Sequence, residues 1–276
     1  MELKTILFEQ SRGIATITLN RPEKRNAVSY ELMDDLALAL KRAAASGAQV
    51  LIITGAGKAF CAGMDLEDLK ALIGRSAQDS IRDSEAMARL FRSVYDFPRP
   101  TIAAVNGAAI AGGAGIATLC DFTLASEESS FGYTEVRIGF VPAIVSTFLI
   151  RQIGEKQARD LLLTGRIITP QDALRFGLIN EVVPPAGLME RALHLAAELM
   201  ANSPASLRAT KALLSGYVKE QLDKDVCEAI AENAGIRQTA DFREGVTAFL
   251  EKRRPRWQNT AASISAPQTG SSKKEE

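Results

Sequence analysis

The chain has 276 residues, enough for one or two domains with a sizeable core and no disulfide or metal staple. Hydrophobic residues make up 46% and charged residues 24%, an ordinary globular composition. Lys plus Arg and Asp plus Glu number 33 each, and this zero net charge makes the chain a poor candidate for binding nucleic acid or an anionic membrane through a broad basic field, a local cationic groove remaining open.

Residues 5–9 and 14–19 read as strands, because Ala15, Ile17 and Leu19 alternate with Thr16 and Thr18. Ser11-Arg12-Gly13 between them reads as a hairpin turn. Asn26 or Ser29 can cap a helix carrying Leu32, Met33, Leu36 and Leu40, with Gly47 as its stop. Residues 50–54 and 101–105 are short apolar runs, the pattern of buried strands, and each is followed by a glycine-bearing loop. Residues 65–80 read as a polar connecting stretch, followed by a helix to about residue 95 that Pro98 and Pro100 end. A glycine-rich helix start spans 111–119, and a third strand 122–125. Helices are expected over 155–163, 170–176, 188–200 and 203–220, with an amphipathic segment on to Leu250. The tail beyond Gln258 has one large apolar residue, Ile264, and is expected to be disordered. The expected organisation is an α/β core over 1–199, a helical subdomain over 200–258 and a tail over 259–276.

The rare residues remove several chemistries. The one histidine, His194, sits one turn from Glu190 and Glu198 on a polar helix face and reads as solvated. It excludes two-histidine zinc sites and makes a Ser-His-Asp triad a poor reading. Cys61, Cys120 and Cys227 lie far apart, so no Cys-x-x-Cys site exists, and their sparse, odd number suits a reducing compartment. No apolar run approaches ~18 residues, and the charged N-terminus has no apolar leader core, so a cytoplasmic protein free of membrane is expected. Gly57-Lys58 fails as a phosphate loop, since Ile52 and Ala59 stand where Gly and Ser or Thr are needed. Gly113 and Gly115 begin a dinucleotide fingerprint, but Thr118 replaces its third glycine.

Two glycine-rich loops after buried strands remain: Phe60-Cys61-Ala62-Gly63-Met64-Asp65, and Asn106-Gly107 through Gly112-Gly113-Ala114-Gly115. Glycines let backbone N–H groups come close to a ligand, and two converging N–H groups make an oxyanion hole. They equally allow tight packing of a helix on a sheet.

The chain resembles the crotonase superfamily, the enoyl-CoA hydratase/isomerase family. The resemblance rests on Leu19-Asn20-Arg21-Pro22-Glu23-Lys24-Arg25-Asn26-Ala27, Phe60 to Leu66, Ala104 to Gly107 with the glycine run, Cys120-Asp121, and Phe131-Gly132-Tyr133-Thr134-Glu135. Leu163 to Arg166 and Ala173 to Val183 continue it over nearly the whole chain. It implies a spiral of β-β-α units with a helical C-terminal trimerisation region, and a homotrimer or a hexamer of paired trimers. It implies an acyl-CoA substrate whose thioester oxygen accepts from the backbone N–H groups of Met64 and Gly112. The Ala62 carbonyl would meet adenine, and Lys24 and Arg25 would lie near the CoA phosphates. Ala27, Asp65, Leu66, Gly113 and Tyr133 complete the implied binding set.

Glu135 matches the family's catalytic glutamate. The family's second glutamate is replaced here by Gly115. Enoyl-CoA hydration is the expected activity, 3-enoyl-CoA isomerisation with one glutamate is the alternative, and a non-catalytic acyl-CoA- or RNA-binding relative is the third reading. No metal or organic cofactor is expected, CoA being part of the substrate, and no nucleic-acid partner. Two expectations about the glycines follow. A β-branched side chain at Gly112 should crowd the loop, and Gly115→Glu should supply a carboxylate opposite Glu135 and speed hydration.

Overall fold

The computed structural model describes residues 2–257. The expected tail beyond residue 258 lies outside the described residues. In chain order, β1 (Ile6–Ser11) and β2 (Ile14–Leu19) form a hairpin. Its two-residue turn has φ of 49° at Arg12 and 80° at Gly13, the mirror-image turn that matches strand twist. Next come α1 (Tyr30–Ala45), β3 (Val50–Gly55), β4 (Ala59–Cys61), α2 (Leu66–Ala71) and α3 (Ala77–Tyr95). Then follow β5 (Thr101–Val105), β6 (Ala108–Ile110), α4 (Gly112–Thr118), β7 (Phe122–Ser126) and β8 (Ser130–Gly132). After a short helical turn at Glu135–Ile138 come α5 (Ala143–Thr164), β9 (Ile167–Ile168), α6 (Pro170–Arg175) and β10 (Glu181–Val183). The chain ends in α7 (Leu188–Met200), α8 (Pro204–Ile236) and α9 (Ala240–Leu250).

Each pass of the spiral places one strand in a large sheet and the next in a small one. The large sheet has the order β1-β2-β3-β5-β7-β10, and the small one β4-β6-β8-β9. Beyond the first hairpin the large sheet is parallel, with Ile17 beside Ile53 and Ile53 beside Ala103. A parallel sheet must be covered on both faces. Accordingly Leu51 and Ile53 point into the main core with Leu32 and Leu36 of α1. Val50 and Ile52 point the other way, onto Leu188, Ala192 and Ala196 of α7. Each fully buried Leu or Ile contributes roughly 2 kcal/mol, so this two-faced burial is what fixes the sheet.

Ser29, not Asn26, caps α1, its hydroxyl accepting from the Leu32 N–H at 3.1 Å. Asn26 sits at φ 55° and stitches the preceding turn, donating to the Ala56 and Ala59 carbonyls at 2.9 and 2.8 Å. The expected polar stretch over 65–80 contains α2 and the start of α3, capped by Asp65 and Ser76. The helix expected over 155–163 belongs to α5, which begins at Ala143 and kinks at Gly154 with φ 75°. The helix expected over 203–220 runs on to Ile236. Its second half buries Leu222, Val226 and Ala229 in the same core as the sheet, so core and helical region share one hydrophobic interior.

Candidate active site

The two glycine loops meet at one edge of the small sheet. In the first, the Gly63 carbonyl accepts from Val28 at 2.7 Å, and the Asp65 N–H donates to the Val28 carbonyl at 2.9 Å. The Met64 N–H between them has no acceptor among the described residues. Gly63, at φ 93°, lies so near the second loop that a Cβ would sit 3.3 Å from the Ile110 carbonyl oxygen.

In the second loop the Ala111 N–H donates to Gly132 at 2.7 Å, anchoring the loop to β8. Ala111 itself adopts φ 50° and ψ −121°, a conformation natural to glycine that costs a side-chain-bearing residue about 1–3 kcal/mol. That turn starts α4 at Gly112, whose N–H has no partner within the helix because it lies in the first turn. Gly113 wedges the two loops together, since a Cβ there would lie 2.3 Å from the Cys61 carbonyl oxygen.

Glu135 opens the helical turn that follows β8. Phe140 donates back to its carbonyl at 3.0 Å, and Gly139 closes the turn at φ 66°. The side chain is buried, and its Oε2 has no hydrogen-bond partner among the described residues. Burial pushes its carboxyl from 4.5 up to about 7. A carboxyl poised there can both take and give a proton near neutrality. The buried Cys61 thiol, by contrast, is pushed up to about 12 by burial and is no nucleophile.

Glu135, Ala62, Met64, Leu66 and Gly112 all line one cavity of about 540 Å³. Its wall is apolar, with Val28, Met87, Phe91, Ile144 and Val145. Other expected contacts fall elsewhere. Tyr133 is fully buried away from the cavity, its hydroxyl sharing a hydrogen bond with Thr118 at 3.1 Å. Asp65 caps α2 and pairs with Arg21 at 2.9 Å. Burial acts to raise its carboxyl, but the Glu67 N–H and the Arg21 guanidinium outweigh this and hold it below the ordinary range. Ala27 is buried and gives its carbonyl to Arg21 at 2.7 Å. Asp65, Ala27 and Gly113 therefore shape the loops from behind. Lys24 is exposed and lies 3.7 Å from Glu67. Arg25 is exposed at φ 52°, and its carbonyl accepts from Ala62 at 3.0 Å, which ties the Arg21–Ala27 segment to the first loop.

The structure bears on both glycine expectations. A Cβ at Gly112 would meet nothing nearer than Phe91 Cζ at 4.0 Å, so a single methyl has room there, and the tighter contact lies at Gly113. At Gly115 a Cβ would lie 3.0 Å from Phe91 Cζ and 3.3 Å from Val145 Cγ2. The space of a second carboxylate is filled by those two side chains. Gly115→Glu is therefore expected to lower stability by about 1–3 kcal/mol through overpacking and to leave hydration no faster. Urea unfolding with an initial-rate assay checks both, and faster hydration in the folded variant would refute it.

Several site residues escaped the sequence reading. Tyr30, Asp83, Asn233 and Arg237 form a polar end to the cavity, gathered from α1, α3 and the end of α8. Gly245 lets α9 lie flush on the Glu135 turn, a Cβ there falling 2.3 Å from the Ile138 carbonyl. His194 is exposed and lies 2.9 Å from Glu198. Among the described residues no three His, Cys, Asp or Glu side chains gather as a metal site, and no helix is long and apolar enough to cross a membrane.

The profile of the family described as enoyl-CoA hydratase/isomerase matches residues 9–260. The chain belongs to that family. A Thermus thermophilus relative, provisionally named an enoyl-CoA hydratase, is 46% identical over 245 residues, covering 88% of this chain and 97% of its own. A Rhodobacter capsulatus relative with the same provisional naming is 37% identical over 256 residues, covering 92% and 98%. The crystal structure of an enoyl-CoA hydratase/isomerase from Xanthobacter autotrophicus Py2 superposes with a TM-score of 0.84 at 30% identity, covering 91% of this chain and 98% of that one. The ladder of paired strands with its helical C-terminal region is thus the crotonase fold, and the chain is an enzyme of this family.

Proposed function

We propose that the chain hydrates a 2-enoyl-CoA thioester. The observation that carries this reading is Glu135: a buried, unpartnered carboxyl near neutral pKa in the same cavity as the free Met64 N–H and the first-turn Gly112 N–H. The two N–H groups receive the thioester oxygen as it gains enolate charge. Losing one such donor costs about 3–4 kcal/mol in comparable sites. Glu135 takes a proton from water as the water oxygen bonds to C3, and the C2–C3 π electrons move onto the thioester oxygen. The enolate then collapses, C2 takes the proton back from Glu135, and the carboxylate is restored. Neither a metal nor an organic cofactor enters this cycle. Lys24 and Arg25, on the segment tied to the first loop, would receive the CoA phosphates.

Isomerisation of a 3-enoyl thioester is the second reading. It is favoured by Phe91 and Val145 filling the place of a second carboxylate, since a C2-to-C4 proton shift needs only Glu135. The test is to offer crotonyl-CoA and a 3-enoyl-CoA of six carbons separately and follow products by chromatography. Hydration of crotonyl-CoA is expected. Conversion of the 3-enoyl substrate with crotonyl-CoA untouched would replace the hydratase reading by the isomerase. No reaction with either, nor with a branched 2-enoyl-CoA, would return the non-catalytic reading. We further propose a cytoplasmic homotrimer or dimer of trimers. The first half of α8 supports assembly, because it exposes Leu213, Leu214 and Tyr217.

A further inference from the structure

Besides Glu135, Arg137 and Arg253, the polar side chains lining the cavity include a group of four, Tyr30, Asp83, Asn233 and Arg237, in which a guanidinium is buried. The Arg237 side chain is 5% exposed. Its Nη2 donates to Asn233 Oδ1 at 2.8 Å, and its Nη1 lies 3.4 Å from Asp83. Its Nε is buried with no acceptor among the described residues. The guanidinium also covers the Phe140 ring at 5.5 Å, and Phe140 is the residue that donates to the Glu135 carbonyl. Arg237 thus packs on the residue that is hydrogen-bonded to the Glu135 backbone.

Charge here does not balance. Asp83 serves two guanidiniums, Arg75 and Arg237, and accepts from the Tyr30 hydroxyl at 3.2 Å. Two cations thus meet one carboxylate, Arg237 buried and Arg75 28% exposed. Asn233 adds a neutral donor. Its Oδ1 accepts from both Ser84 and Arg237, each at 2.8 Å, and because a guanidinium can only donate, the amide orientation is fixed. Asn233 Nδ2 is then a donor with no acceptor among the described residues, on a residue lining the cavity. One carboxylate between two guanidiniums leaves a positive charge over, and a planar guanidinium with N–H groups to spare matches a carboxylate better than any neutral group.

We propose that this end of the cavity binds a carboxylate at the far end of the acyl chain, so that the preferred substrate is a CoA thioester of a dicarboxylic acid. The inference rests on the acyl-CoA reading of the cavity given above. In this arrangement Arg237 and Asn233 Nδ2 hold the distal carboxylate while Glu135 and the two loops handle the thioester end. An uncharged chain of equal length would leave Asp83 as the one carboxylate shared by Arg237 and Arg75.

The test uses two saturated thioesters that cannot react, glutaryl-CoA and pentanoyl-CoA, with binding to the full chain measured by calorimetry. Glutaryl-CoA is expected to bind at least about tenfold more tightly, the scale of one charge-assisted hydrogen bond. Arg237→Met should erase that preference and leave pentanoyl-CoA binding within about threefold, and Arg237→Lys should restore part of it. Equal binding of the two thioesters to the unmodified chain overturns the proposal, whether or not the variants fold. Equal weakening of both by Arg237→Met overturns it too, because that is how a purely structural arginine behaves. If neither crotonyl-CoA nor the dicarboxylic 2-enoyl thioester glutaconyl-CoA is hydrated but the glutaryl preference holds and depends on Arg237, the hydratase reading fails and the carboxylate site stands. If hydration occurs with no preference for the charged chain, the reverse is true.

Discussion

Glu135→Gln should lower kcat at neutral pH by at least about a hundredfold, the usual scale for an acid–base group, and should also make the folded chain harder to melt in alkaline buffer. Both effects come from burial. The folded carboxyl titrates at about 7, against an ordinary 4.5. Between those values the folded chain holds a proton that the unfolded chain has released. Stability therefore falls as pH rises through this window, by up to about 3 kcal/mol above pH 7. Glutamine has no charge to desolvate. At pH 5 the two proteins should melt nearly together, and at pH 8.5 the variant should melt about 5 °C or more higher. The kcat/KM profile of the unmodified enzyme should bend near pH 7, and the residual activity of the variant should lack that bend. Near-normal turnover in the variant would remove Glu135 from the chemistry, and equal melting at pH 8.5 would show its carboxyl to be solvated.

Gly113→Ala and Gly112→Ala, one residue apart, should differ sharply. At Gly113 the new methyl would lie 2.3 Å from the Cys61 carbonyl oxygen and 2.7 Å from Cys61 Cβ. Neither atom belongs to a flexible side chain, so α4 or β4 must move. The cost should be at least about 3 kcal/mol, at the upper end for overpacking, with kcat falling because both glycine loops shift. At Gly112 the methyl has room, and alanine is the better helix former by about 1 kcal/mol. Gly112→Ala should thus unfold within about 1 kcal/mol of the unmodified chain in urea. Matching midpoints for the two variants would show that the loops are not held by this contact.

What the sequence made legible follows from how local each signal is. β3 and β5 are wholly apolar runs of Val, Ile, Leu, Ala and Thr, and a strand buried on both faces looks like that in any context. β4, β6 and β8 have three residues each, too few to show a period, and glycines flank them. The small sheet was therefore hidden, although it carries both loops of the site. Glu135 was visible through family resemblance alone, because an isolated Glu among apolar neighbours otherwise reads as exposed. The helix from Pro204 reads as shorter than it is, because its first half is mostly exposed and its second half partly buried, so no single apolar stripe runs along it. The polar end of the cavity could not be read at all. Asp83 and Arg237 are 154 positions apart and meet only through the docking of α8 on α3.

That long separation also bears on how the chain acquires its site. The large sheet grows outward in chain order from β3 to β5, β7 and β10, so each strand can pair with a neighbour already synthesised. The hairpin and ladder can thus form while the ribosome is still at work. The cavity cannot, because it needs α8 to return across the sheet to α3 and α9 to close on the Glu135 turn. Closing a loop of that length is a late and slow event, paid for only when Arg237 and Phe242 are in place. A nascent chain stopped short of Arg237 would carry both glycine loops and the carboxyl on a formed ladder, with the cavity still open to water.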